Sequence, residues 1–300
     1  MPVSEFASFQ RNMSRPSLKE DPITVDDIKA YLATTDDFRL EIEVFRMCME
    51  AGFAATHGGS YRDPVTGQNR QYDVRAHYAD EFKHIRLAIE CKNLGSHFPL
   101  LISTVPRRPS ESQTHFLVSA KGSGGGRYSL WPVKTGLFQW GEPVGKATAR
   151  VGVKTKSDDR FIANDSDVYE KWAQAIASAH DLVGDTLNDW KTSKTQWAVG
   201  IALPVLVIGD DALWIANYDD SGNLVGDPSK VNEAMLYLNS VVGASDIQYP
   251  LSHLLVFTLT GFQAFLNRFK NHGMVRDALL IDYSEARDYV TATFGDLLKQ

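Results

Sequence analysis

Asp73 and the triplet Glu90-Cys91-Lys92 are the residues of this 300-residue chain whose types and spacing could do chemistry. They stand near the two ends of one stretch, Arg70 to Lys92, reading RQYDVRAHYADEFKHIRLAIECK. Two apolar-alternating runs, Gln71 to Tyr78 and His84 to Lys92, flank the segment Ala79-Asp80-Glu81-Phe82-Lys83. Alternation on both sides of a polar turn predicts an antiparallel strand pair. With the turn centred between Glu81 and Phe82, Asp73 falls opposite Glu90, Val74 opposite Ile89 and Ala76 opposite Leu87. Tyr72, Val74, Ala76 and Tyr78 then share a face with Ile85, Leu87, Ile89 and Cys91. Asp73, Glu90 and Lys92 share the other face, because side chains two apart on a strand point the same way.

Opposed strand positions have Cβ atoms about 4.5–5.5 Å apart. Two carboxylates at that separation repel unless a cation lies between them, and hard oxygen ligands suit magnesium. Lys92 would stand beside such an ion, placed to orient a water or steady negative charge. The chemistry expected of this set is metal-assisted hydrolysis of a phosphodiester. Taken singly, each acid also suits a solvated face with a cross-strand salt bridge. The run Leu87-Ala88-Ile89-Glu90-Cys91-Lys92 is apolar enough for a central strand, however, and charges there need a reason.

The elements that must position these residues precede and follow the hairpin. A helix is expected from about Asp37 to Ala51, with Leu40, Val44, Met47, Cys48 and Ala51 on its apolar stripe and Gly52 as its stop. Glu41 sits beside that stripe, where it either faces solvent or reaches the hairpin. Phe53 to His57 reads as a first strand. The stretch Ser60 to Asn69 reads as a loop, with turn signals at Asp63-Pro64 and Thr66-Gly67. His57 reads as a strand-end residue rather than a ligand.

An acid at the start of one strand, followed by Glu-x-Lys at the end of the next, resembles the motif of the PD-(D/E)XK, or restriction-endonuclease-like, nucleases. The stretch Tyr61 to Asp73 resembles the form with a turn and an Arg, here Arg70, three residues before the acid. Many members also carry a Glu on the preceding helix, about eleven residues before a Gly-aromatic pair, and Glu41 with Gly52-Phe53 fits that place. The resemblance covers about residues 35–120 and departs at Gln71-Tyr72, where relatives of this form more often have Glu-Ile. It implies that Asp73 and Glu90 bind Mg²⁺, with Mn²⁺ as a substitute. It implies that Lys92 orients or helps deprotonate the attacking water and that Glu41 supports the metal or its waters. The implied fold is α/β, a central mixed β-sheet flanked by helices, with a restriction-endonuclease-like core and a C-terminal extension. The implied activity is that of an endonuclease on nucleic acid, DNA before RNA, and a homodimer is compatible with it. The alternative is a catalytically silent protein of that fold, serving as a nucleic-acid or protein interaction module.

Composition sets the outer bounds. The chain is 43% hydrophobic and 23% charged, ordinary for a globular protein with a sizeable core. Its longest apolar run, Ile201 to Ile208, is too short to span a bilayer. Residues 1–20 carry no apolar segment of the signal-peptide kind and read as a loose arm. Two cysteines, Cys48 and Cys91, fall on apolar faces, which points to free thiols and a reducing cytoplasm. No Cys/His spacing suits a zinc site. The formal net charge of −6 argues mildly against a general nucleic-acid coat protein. Between residues 121 and 160, basic residues nonetheless exceed acidic ones by eight to three, an excess that suits either a phosphate backbone or a solvated face.

Further along, Thr24-Val25-Asp26-Asp27 reads as a capping box for a short helix through about Leu32. Phe98 to Ser103 and His115 to Ala120 read as strands. Arg107-Arg108 lie at a loop, either solvated or near a scissile phosphate. Lys121 to Arg127 is not a phosphate loop, since no Lys-Ser or Lys-Thr follows the glycines, and reads as a mobile loop. Ser166 to Val183 is a helix covering one face of the sheet. Trp197 to Ile208 and Ala212 to Tyr218 read as strands joined at Gly209-Asp210-Asp211. A helix near Lys230 to Leu238, a strand at His253 to Leu259 and helices at Gly261 to Phe269 and Ser284 to Leu298 complete the reading. One domain over residues 21–300 is expected, with no linker rich enough to divide it and a boundary near residues 121–160 as the alternative.

Overall fold

The computed structural model describes residues 21–34, 37–122, 124–134, 141–154, 160–164, 166–244, 247–271 and 282–295. Residues 1–20, expected as an arm, lie outside them. Contacts divide the chain into two units between Asp36 and Asp37. The described part of the first is helix α1 (Val25–Thr34). It opens on the expected box: Thr24 N donates to Asp27 Oδ2 at 3.0 Å and Asp27 N donates to Thr24 Oγ1 at 3.2 Å.

The second unit, residues 37–300, is α/β, built on a large mixed sheet flanked by helices. Helix α2 (Phe38–Glu50) buries Leu40, Val44, Met47 and Cys48, the stripe expected from their spacing. It ends where Gly52 takes φ +90°, a conformation glycine adopts without strain. Strand β1 (Ala54–His57) follows. The expected loop at Ser60–Asn69 contains a small ribbon of its own, β2 (Ser60–Arg62) with β3 (Asn69–Gln71). Asp63 Oδ1 accepts from Val65 N and Thr66 N at its turn.

The central hairpin is β4 (Val74–Asp80) with β5 (Lys83–Lys92). Its register pairs Val74 with Ile89 and Ala76 with Leu87, as the alternation requires. Glu81 at the turn has φ +41°. The strands β6 (Leu100–Pro106), β7 (Gln113–Gly122), β8 (Gly125–Lys134), β9 (Pro143–Val153) and β10 (Phe161–Ala163) come next. Helix α3 (Ser166–Thr186) then returns the chain to β11 (Trp197–Ile208), which from Val199 to Ile208 lies parallel to β5. A parallel pair needs such a crossover.

All twelve residues of β11 are buried. Each fully buried Val, Leu or Ile there contributes about 1.5–3 kcal/mol relative to exposure. Its first residues pair with β7 and its last with β15 (Ile247–Thr258), so it is the strand at which the sheet branches. On one face Val74, Ile85, Leu87, Ile89 and Cys91 pack with residues of α2, α4 (Leu259–Asn271) and α5 (Tyr283–Phe294). On the other face α3 lies across β5 and β11.

Three expectations are corrected. Lys230 to Leu238 is not a helix: β14 (Glu233–Ala244) occupies it, paired antiparallel to β15. A short apolar run such as Ala-Met-Leu-Tyr-Leu reads either way by period, and the partner strand decides. β11 and β12 (Leu213–Asn217) do not pair; β12 lies parallel to β6. Gly209 lets the chain pass close by, since a Cβ there would stand 2.7 Å from the Leu94 carbonyl oxygen. The glycines after Lys121, expected as a mobile loop, lie at the tip of the β7–β8 hairpin, with Gly122 paired to Gly125.

Candidate metal centre

The carboxylates of Asp73 and Glu90 meet on the face of the sheet that α3 covers. Asp73 stands immediately before β4, and its Oδ2 accepts from Cys91 N at 2.7 Å. A backbone donor from the opposite strand thus fixes the acid at the position the register predicts. Glu90 lies on the fully buried part of β5 and is 0% exposed. Its Oε1 is buried with no hydrogen-bond partner among the described residues. An orphaned carboxylate oxygen in an interior costs free energy and calls for a cation or water.

A residue that the hairpin did not announce supplies positive charge. Lys171 on α3 donates to Asp73 Oδ2 at 2.7 Å and to Glu90 Oε2 at 3.3 Å. Val168, Lys171, Ala175, Ser178 and Leu182 form one row at helical spacing. A lysine on that inward row was the signal available in the sequence. Lower on the same helix, Arg75 donates to Ser178 Oγ at 3.0 Å and to Asp181 Oδ2 at 2.8 Å.

Glu41 comes from the first turn of α2, and its Oε2 lies 3.0 Å from His57 Nε2. His57, expected as a plain strand end, therefore holds the third acid. Lys92 is placed elsewhere than expected. Its Nζ donates to Asp37 Oδ2 at 3.0 Å, while Asp37 Oδ1 accepts from Asn93 N at 2.7 Å. The structure thus gathers Asp73, Glu90 and Lys171, sets Glu41 close enough to feel the Asp73 charge, and turns Lys92 toward the start of α2. Arg107 is buried, 2% exposed, beside Met235 at the end of β6. Four strands in the sheet order separate β6 from β5, so Arg107 does not join the acids.

The electrostatics follow from this crowding. Burial, and after it the Asp73 charge, pushes the Glu90 carboxyl up to about 8. Burial and then Asp73 raise Glu41 as well. Burial works to lower the Lys171 ammonium, yet the attraction of Asp73 and Glu90 carries it above its ordinary value. These hard, crowded oxygens with one buried and unpartnered are a donor set that fits a divalent cation of the magnesium class. No family model, curated protein or solved structure matches this chain. Among the described residues no helix is long and apolar enough to cross a membrane.

Proposed function

We propose that the chain is a metal-dependent endonuclease with a restriction-endonuclease-like core, hydrolysing phosphodiester bonds in DNA. The observation that carries this reading is the crowding of the Asp73 and Glu90 carboxylates, with Glu90 Oε1 buried and unpartnered among the described residues. The succession of a helix bearing Glu41, a strand bearing His57, and a hairpin bearing Asp73 and Glu90 supports the same reading.

In this reading Asp73 and Glu90 hold Mg²⁺, or Mn²⁺ in its place. Bound there, the ion would lower the pKa of an attacking water and offset the charge of the pentavalent phosphate. The chain's own residues prepare the place. Cys91 N holds the Asp73 carboxylate still, and Glu90 is buried on the face where α3 lies across β5 and β11. Glu41, held by His57, offers a further acceptor for a water at the rim. The Lys171 ammonium keeps the two acids together and is positioned to face a phosphate oxygen. Lys92 reaches the site only by leaving Asp37.

The pairings of Lys171 and Lys92 favour a second reading, a catalytically silent module of the same fold that binds nucleic acid or protein. One experiment separates them. Plasmid and single-stranded DNA are incubated with the purified protein and Mg²⁺ or Mn²⁺, with Asp73→Ala in parallel. The nuclease reading expects cleavage by the wild type, reduced at least about a hundredfold in Asp73→Ala. Equal cleavage by both proteins sinks the assignment of the site. DNA binding without cleavage under either metal selects the silent module.

A further inference from the structure

The turn end of the central hairpin carries a second group of polar side chains, on the same face as Glu90 but toward the other end of β5. β4 and β5 pair His77 with Arg86 and Ala79 with His84, so both histidines and Arg86 project toward the chain that follows α3. That chain contributes Asp189, from the short 3-10 turn Asp189–Lys191. His77 Nε2 lies 3.1 Å from His84 Nδ1, and His84 Nδ1 lies 3.4 Å from Asp189 Oδ1. One ligand atom from each of the three residues falls within 4.8 Å of the other two. His84 and Asp189 are buried. His77 and Asp189 line a cavity of about 590 Å³, together with Tyr72, Arg75, Arg86 and Asp185.

A proton on His84 Nδ1, donated to His77 Nε2, accounts for the 3.1 Å contact, while both Asp189 oxygens accept from Arg86 and Oδ1 stands 3.4 Å from the same nitrogen. The two ring nitrogens and the carboxylate oxygen thus converge on one point, which a metal ion can take in place of that proton. The separations agree: two ligands each about 2.0–2.1 Å from a tetrahedral metal stand roughly 3.3 Å apart. Burial, with the Arg86 charge second, lowers both histidines to about 4, so each is neutral near pH 7.

Charge also permits a cation. Arg86 donates to Asp189 Oδ2 at 2.7 Å and to Oδ1 at 2.5 Å, and each oxygen keeps a second lone pair. Arg75 and Arg86 are balanced by Asp181, Asp185 and Asp189, leaving one negative charge in excess around the two neutral histidines. Two imidazole nitrogens and a carboxylate oxygen suit zinc and its transition-metal neighbours, whereas the Asp73–Glu90 oxygens suit magnesium.

We propose that His77, His84 and Asp189 form a site for a divalent transition metal of the zinc class, with its remaining coordination position open to the cavity that His77 and Asp189 line. Such a metal would tie the hairpin bearing Asp73 and Glu90 to the segment that follows α3.

The test uses the full chain, stripped with chelator and returned to Mg²⁺ buffer. Zn²⁺ is titrated by calorimetry and Co²⁺ by visible absorption into the wild type, Asp73→Ala, His77→Ala and His77→Gln. The expected result is one Zn²⁺ per chain in both the wild type and Asp73→Ala, and a tetrahedral Co²⁺ spectrum in both. The two His77 variants should bind at least about tenfold more weakly and lose the spectrum. His77 is only partly buried, and the Gln variant keeps a polar group of similar reach, so at least one variant is expected to fold with the wild-type circular dichroism spectrum. No Zn²⁺ binding by the wild type overturns the proposal, as does undiminished binding by a folded His77 variant. Binding that vanishes in Asp73→Ala also overturns it, because the ion would then sit at the acids. None of these results depends on whether the chain cleaves DNA.

Discussion

Lys171 decides how the two acids coexist. An ammonium 2.7 Å from Asp73 and 3.3 Å from Glu90 neutralises one charge, and burial keeps the Glu90 carboxyl protonated to about pH 8. Removing one member of a buried pair usually costs about 3–5 kcal/mol. Lys171→Met should fall near the lower end, about 3 kcal/mol, because Glu90 can stay neutral. The same variant removes a competitor for the site, so Mg²⁺ should bind it at least about tenfold more tightly and restore much of the lost stability. Urea unfolding with and without Mg²⁺ checks this; equal midpoints for variant and wild type in both buffers would sink it. The acids themselves were legible from the sequence, because a period-two pattern fixes register and register places Asp73 across from Glu90. The partners were not. That Lys92 turns to Asp37 depends on where α2 begins in space. Lys171 lies 81 residues beyond Glu90 on an inward helical row whose meaning appears only once α3 is laid on β5.

At the scale of elements, the site rests on how closely α3 and its following turn sit on β11. Gly200 measures that fit, since a Cβ there would come 2.3 Å from Thr186 Cγ2 and 2.9 Å from Asp189 Oδ2. Gly200→Ala should therefore destabilise the chain by about 1–3 kcal/mol, the range of an overpacked interior, as read by chemical denaturation. A second element-level property is acid lability. His253 on β15 is buried, with the Tyr237 ring, Arg107, Lys146 and Glu111 about it. Burial first, and the Arg107 charge next, lower its pKa to about 3, while the unfolded chain titrates near the ordinary value of 6.5. Between those values the unfolded state binds a proton that the folded state refuses. Stability is therefore full above about pH 6.5 and falls as pH drops below it, by about 2 kcal/mol at pH 5 from this group alone. Urea midpoints at pH 7.5 and 5 for wild type and His253→Asn check it, and an acid loss undiminished in a folded variant would count against it. Elements with a clean period, α2, α3 and the central hairpin, were readable from the chain. β14 was not, because a five-residue apolar run carries no period of its own. The β11–β12 connection was not either, because Gly-Asp-Asp signals a turn without saying whether the strands it joins will pair.

For the molecule as a whole, the net charge of −6 leaves any contact with DNA to local surfaces. Six of the eight basic residues between 121 and 160 can be placed. Lys146 is paired with Glu111, and Arg150 with Asp167 of α3 and the Phe98 carbonyl. Lys121 and Arg127 lie at the β7–β8 tip, where Lys121 N donates to Gln196 O beside the start of β11. In register, Glu90 lies opposite Leu206, near the other end of β11. Lys154 and Arg160 flank the β9–β10 neck, joined by a bond from Lys154 N to Arg160 O. That neck adjoins Arg150, whose partner Asp167 stands one helical turn before Lys171. A DNA backbone presented to Asp73 and Glu90 should accordingly meet Lys154 and Arg160, and miss Lys121 and Arg127. Replacing Lys154 and Arg160 together by Ala should weaken DNA binding and reduce the slope of log K against log salt by about 1–2, as expected when one or two phosphate contacts are lost. The same double replacement at Lys121 and Arg127 should leave the slope unchanged. Fluorescence anisotropy across a salt series, in Ca²⁺ to hold off cleavage, reads both. A slope that responds only to the Lys121–Arg127 pair would put the DNA at the far end of β11, out of reach of the acids.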